Sequence, residues 1–120
     1  SMVVNSENEL FVMGTTGSWD FPTTSTAYDQ IFNGGDSTAY DNVIIFTQGL
    51  DIYVSHFSVD GTQLLGSTYI GGSKNDGLNF RNYYQSHIMH GNDSLYYNYA
   101  DGARGEIIAD DKGNVYVGIC

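Results

Sequence analysis

The sequence holds one cysteine, Cys120, and one proline, Pro22. A single cysteine excludes an intrachain disulfide. Basic residues are scarce as well: four Lys and Arg stand against fourteen Asp and Glu, giving a formal charge of −10. That balance repels phosphate backbones and anionic lipid surfaces, so no nucleic-acid partner is expected. Charged residues make up only 15% of the chain, which means that the acidity comes from missing cations rather than from carboxylate runs. The longest unbroken apolar stretches, Val43-Ile44-Ile45-Phe46 and Leu10–Met13, are four residues each, far below the ~20 residues of a membrane-spanning helix. No membrane insertion is expected. No signal-peptide pattern opens the chain either, and any targeting segment is expected to belong to a longer parent protein.

What is present is the material of strands. Ten Tyr and six Phe accompany Thr, Val and Ile, and fifteen Gly supply turns. At 120 residues the chain is about one domain long, enough to bury roughly two thirds of its unfolded surface. Helical periodicity is weak, whereas short alternations recur between turn signals. Leu10–Met13 is one such run, and Val43–Phe46 another. Ile52–Val59 alternates, placing Tyr53, Ser55, Phe57 and Val59 on one face and Ile52, Val54 and His56 on the other. Asp60-Gly61 is a hairpin signal between this run and Leu64–Ile70, which stops at Gly71-Gly72. Glu106–Asp110 and Val115–Ile119 flank Asp111-Lys112-Gly113-Asn114 as a further hairpin.

The end of the chain repeats its start. Val4–Val12 (VNSENELFV) matches Ala109–Val117 (ADDKGNVYV) in pattern, at an offset of 105 residues from Leu10 to Val115. Self-similarity at a fixed period marks folds whose units cannot bury their faces alone. On these residues a sandwich, a barrel and a propeller all remain open.

Five ordered motifs carry a resemblance. Gly14–Thr24 (GTTGSWDFPTT), Phe32–Gly35 (FNGG), Asp51–Gly61 (DIYVSHFSVDG), Ser67–Gly72 (STYIGG) and Asp111–Val117 (DKGNVYV) resemble the repeat of secreted bacterial seven-bladed β-propellers. With Asn75-Asp76-Gly77, Tyr97-Asn98-Tyr99 and Arg104–Ile108, the chain is similar to the long form found in very large surface proteins of gliding bacteria. The resemblance implies an all-β fold: an antiparallel four-stranded propeller-type blade plus the first strands of a second. Residues 1–105 would form one blade-type repeat, with insertions at 37–50 and 80–102, and 106–120 would begin the next blade. The inner hairpin would be 2–5 with 9–14, the outer hairpin 51–59 with 64–70, and the next blade would open with 106–110 and 114–119. The 37–50 insertion is expected to add a strand or hairpin. Gly71-Gly72 would end the outermost strand so that the chain can return to the axis.

Chemistry is thinly marked. His87 and His90 have metal-ligand spacing only on a helix, and their Tyr-, Asn- and Gly-rich flanks do not read as one. Asp60-Gly61, Asp76-Gly77, Asp101-Gly102 and Asp111–Asn114 could offer oxygens to calcium, yet none fits an EF-hand spacing, and Asp or Asn before Gly is an ordinary turn former. No metal site or cofactor is expected. No nucleophile elbow, zinc-protease or phosphate-loop motif occurs, so an enzyme is not expected. His56 reads as a packed or surface residue of its strand. Trp19, Tyr83, Tyr84, Tyr96, Tyr97 and Tyr99 could stack on sugars or anchor a protein, although aromatics of an all-β chain more often pack between strands. Trp19, in a loop, is the foremost of these.

The expectation is therefore a noncatalytic repeat module of a large secreted or cell-surface protein, with a scaffold, adhesion or protein-interaction role. Its partners would be other blades of the parent protein, or further copies joined through open strand edges, with surface glycans as a further ligand. The alternative is a carbohydrate-binding module that uses exposed aromatics.

Overall fold

Alternating apolar residues become the two faces of a sheet. The computed structural model describes residues 1–40, 44–77 and 105–119, and these contain strands and no helix. In chain order the strands are β1 (Met2–Val4), β2 (Leu10–Thr16), β3 (Thr38–Tyr40), β4 (Ile44–Phe46), β5 (Asp51–Phe57), β6 (Leu64–Ile70), β7 (Glu106–Ala109) and β8 (Val115–Gly118). β1, β2, β5 and β6 form one antiparallel sheet in the spatial order β1-β2-β5-β6. β3 pairs with β4 inside the 37–50 segment, and β7 pairs with β8. The 80–102 segment lies outside the described residues.

The pairing register decides which side chains share a face. Phe11 lies opposite His56, and Met13 opposite Val54; these residues, with Ile52, belong to one face. Against this face packs the β7–β8 hairpin. Phe11, Met13, Ile52 and Ile107 form the buried cluster, surrounded by Val3, Val54, Ile70, Ala109, Val115, Val117 and Ile119. The other face carries Tyr53 opposite Tyr69 and Ser55 opposite Ser67. The two buried serine hydroxyls bond to each other at 2.9 Å, which spares either from being left unpaired.

A long connection between β2 and β3 closes over β6. Thr24 N–H donates to Ser67 O at 3.0 Å, and Thr24 Oγ1 accepts from Ser67 N–H at 3.2 Å. Tyr69 N–H donates to Asp29 O at 3.0 Å, while Asp29 N–H donates to Thr68 Oγ1 at 2.9 Å.

Strand ends follow side-chain chemistry. β5 stops at Phe57, two residues before the sequence alternation ends, because the register shifts between His56 and Phe57 and the turn begins. There Asp60 Oδ1 accepts from Ser58 Oγ at 2.7 Å and from Thr62 N–H at 3.1 Å, an arrangement that competes with the ladder. β6 stops at Ile70, where Gly71 serves close approach. A Cβ on Gly71 would lie 2.8 Å from Asp51 Oδ1 and 3.0 Å from Asp76 Oδ2, and Gly72 N–H donates to Asp76 Oδ2 at 2.7 Å.

The repeat seen in the sequence is also a repeat of register. Met2, Val3 and Val4 pair with Val12, Phe11 and Leu10; Ile107, Ile108 and Ala109 pair with Val117, Tyr116 and Val115. Every partner moves by the same 105 residues that separate Leu10 from Val115. The turns repeat as well. Asn5 N–H donates to Glu9 O and Asn8 N–H to Asn5 O, just as Asp110 N–H donates to Asn114 O and Gly113 N–H to Asp110 O. Both turns need one residue with positive φ: Asn8 at 62° and Gly113 at 79°, and Asn and Gly are the residues that enter that region most readily.

Candidate functional site

Three groups of side chains stand out. The first surrounds Trp19, which is 72% exposed. Its neighbours are held from below by Tyr69, a fully buried residue of β6. The Tyr69 hydroxyl donates to Ser18 O at 2.7 Å and accepts from Phe21 N–H at 3.1 Å. Burial raises its pKa, so it remains a donor at neutral pH. The Phe21 ring packs on Tyr53 at 4.3 Å and on Tyr69 at 6.0 Å, and Phe32 packs on Tyr69 at 5.9 Å. The backbone on both sides of Trp19 is thus fixed while its indole is presented to solvent. Such an indole can stack on a sugar face or a flat apolar partner at small entropic cost.

The second group lines a groove of about 220 Å³ whose walls include Phe11, Tyr28, Val54, His56, Gly66 and Thr68. The β2–β5 register places the Phe11 and His56 rings in a stack, 4.1 Å between centroids and 10° from parallel. His56 Nε2 lies 2.9 Å from Glu9 Oε2, and Asn5 Nδ2 donates to the same oxygen at 3.0 Å. The Asn5 bond first, and the His56 bond second, hold the Glu9 carboxyl below its ordinary range. Glu9 therefore accepts from the imidazole N–H, and this fixes the ring edge-on to the turn. Gly66 lies opposite His56 and brings no side chain. Across the groove Tyr28 is 91% exposed. Its chemistry is that of an aromatic-walled shelf, with an imidazole already engaged by a carboxylate.

The third group centres on Asp51, which is fully buried. Its Oδ2 accepts from Asn33 N–H at 2.7 Å, and its Oδ1 from Gly34 N–H at 3.0 Å. Burial pushes this carboxyl up, the two backbone bonds pull it down, and the negative charges of Asp76 and Asp29 add to the upward shift. Asn75 Oδ1 accepts from Leu50 N–H at 3.0 Å nearby, and Asn75 Nδ2 donates to Asp36 O at 2.9 Å. These polar groups tie three loops to the end of β5, which is a structural duty.

Of the aromatics singled out in the sequence, Trp19 is exposed as expected of a loop residue, and it does not border the groove. Tyr83, Tyr84, Tyr96, Tyr97 and Tyr99 lie outside the described residues, as do His87, His90 and Asp101-Gly102. Asp60 Oδ1 and Asp76 Oδ2 accept the turn bonds given above, and Asp110 accepts from Lys112 N–H and Asn114 N–H at 2.9 Å each. Among the described residues no three His, Cys, Asp or Glu side chains gather as a metal-ligand set. The groove is absent from the sequence reading, because Tyr28 carries no motif and the Phe11–His56 stack exists only once β2 has paired with β5.

Comparison with family models, with curated proteins and with solved structures finds no match to this chain.

Proposed function

We propose that the chain is a noncatalytic β-propeller repeat module of a large secreted or cell-surface protein, with a scaffold, adhesion or protein-interaction role. The observation that carries this reading is the hairpin built twice. The second copy, β7–β8, repeats the strands and the turn of β1–β2 and packs on the face of the sheet to which the first belongs. A four-stranded antiparallel sheet followed by such a hairpin is the order expected of one blade and the start of another. The ordered motifs from Gly14 to Val117 support the same assignment, as does their likeness to the long repeat of surface proteins. The noncatalytic role is supported by how the ionisable side chains are used: the carboxylates of Glu9, Asp51, Asp60, Asp76 and Asp110 each accept hydrogen bonds that shape turns or tie loops.

The test is the parent-length protein. Negative-stain images should show ring-shaped projections with a central channel, and brief protease treatment of intact cells should remove the protein. An elongated or featureless particle would overturn the propeller, and protection inside cells would overturn the surface location.

A carbohydrate-binding role is the second reading, favoured by the clamped backbone around the exposed Trp19. On a glycan array it requires saturable binding that Trp19→Ala abolishes. Binding that survives this substitution, or none at all, removes it.

A further inference from the structure

The 105-residue register relates the two faces of each hairpin, and among the described residues one pair of faces is joined. On β1–β2, Val3 and Phe11 belong to the face that receives the second hairpin, with Met13 one ladder step beyond. On β7–β8, Ile107, Ala109, Val115 and Val117 belong to the face that is received. Translating each set along the repeat exposes what has no counterpart among the described residues. The receiving set becomes Ile108, Tyr116 and Gly118, of which Ile108 is 62% and Tyr116 54% exposed. The received set becomes Met2, Val4, Leu10 and Val12, of which Met2 is 72% and Val4 57% exposed. Apolar residues of this size in alternate positions on both hairpins form two open patches.

We propose that a second copy of this chain docks head to tail on these patches, with its Met2–Val4–Leu10–Val12 face lying on the Ile108–Tyr116 face of the first. The packing of β7–β8 on β1–β2 is the template, since the two open faces are built on the same ladder and turn as the two that are joined. At one place bulk is also exchanged in the compensating direction. Where the joined pair sets Ile107 and Met13, the open pair sets Met2 and Gly118, so a longer side chain comes with a vacated position. The contact is heterologous, because different surfaces meet, and every added copy again presents one face of each kind. The patches are small compared with a stable interface, so the association is concentration-dependent. The inference stands on the observed packing, and the propeller reading keeps its own separate test.

Sedimentation equilibrium across a concentration series tests it, with far-UV circular dichroism and Trp19 fluorescence verifying that each variant is folded. Wild-type mass should rise with concentration beyond that of one chain. Val4→Glu and Ile108→Glu should each abolish the rise alone, since each breaks one face. Mixed together they should recover a 1:1 pair and nothing larger, because each supplies the face that the other lacks. Ile45→Glu and Val59→Glu, at residues 66% and 65% exposed elsewhere on the chain, should leave association intact. A wild type that is monomeric throughout overturns the proposal, as does association that persists in either single-face variant, that is lost in the controls, or that fails to return on mixing.

Discussion

Asn5 and Asp110 perform one task 105 residues apart. Asn5 Oδ1 accepts from Glu7 N–H at 3.0 Å and Glu9 N–H at 2.9 Å; Asp110 Oδ1 accepts from Lys112 N–H and Asn114 N–H, both at 2.9 Å. A further side-chain contact is the same link with donor and acceptor exchanged, and Asp110 Oδ2 also accepts from the Tyr116 hydroxyl at 3.1 Å. Asn5 Nδ2 donates to Glu9 in the first turn, whereas Asn114 Nδ2 donates to Asp110 Oδ2 at 2.8 Å in the second. Toward the two backbone N–H groups of the turn an amide and a carboxylate are interchangeable, because both N–H groups share one acceptor oxygen.

Asp110→Asn should therefore keep the hairpin, and Asp110→Ala should lower Tm by several degrees. The Asn114 side-chain bond, and then its backbone N–H, hold the Asp110 carboxyl below its ordinary range. Its contribution is present above the unfolded pKa and fades as pH falls through the lower folded value. Thermal melts at a series of acidic pH values should show wild type losing stability faster than Asp110→Asn. Parallel curves would remove the carboxylate from this role.

Asp51 should behave with the opposite sign. Its carboxyl is raised by burial, so the folded state binds the proton more readily, and stability falls as pH rises from the unfolded value through the folded one. In Asp51→Asn one of its two acceptor oxygens becomes an NH₂ group, which leaves either Asn33 N–H or Gly34 N–H facing a donor. The expected cost at neutral pH is about 1–3 kcal/mol, together with disappearance of this segment of the pH profile. Urea denaturation reads both, and a neutral or stabilising effect would contradict the bonding described.

Tyr69→Phe removes the hydroxyl that joins Ser18 O and Phe21 N–H. A loss of about 1–3 kcal/mol is expected, since both groups lose a buried partner. Trp19 is the only tryptophan, so its fluorescence anisotropy should fall as the loop loosens. Unchanged anisotropy would mean that the clamp is not what orders this loop.

Ile107 and Ile108 are adjacent yet differ in consequence. Ile107 is 3% exposed within the buried cluster, whereas Ile108 is 62% exposed. Ile107→Ala should cost about 2–5 kcal/mol and release the amides of β7 and β8 to exchange before those of β5. Ile108→Ala, measured at low protein concentration, should change stability by less than about 0.5 kcal/mol.

Much of the fold was legible because it rests on local signals. The alternation from Ile52 placed Tyr53 and Ser55 on one face and Val54 and His56 on the other, and the ladder keeps that division. Asp60-Gly61 and Lys112-Gly113 marked turns that form. The match of Val4–Val12 to Ala109–Val117 announced a shared register down to individual partners. What local pattern could not supply was contact between distant segments. The Phe11–His56 stack depends on a β2–β5 pairing across 45 residues, and Asp51 gives no sign in DIYVSHF that it closes on Asn33 and Gly34. Tyr69 looked like one more strand aromatic in STYIGG; its hydroxyl acquires a task only where Ser18 and Phe21 arrive.

The connection stapled along β6 has a consequence for solubility. An outer strand of seven residues that carries two Leu, a Thr, a Tyr and an Ile is the sort of margin on which foreign strands zip up and fibrils grow. Because Thr24 and Asp29 already occupy the amides and carbonyl of Ser67 and Tyr69, lateral accretion is blocked on that side of the molecule.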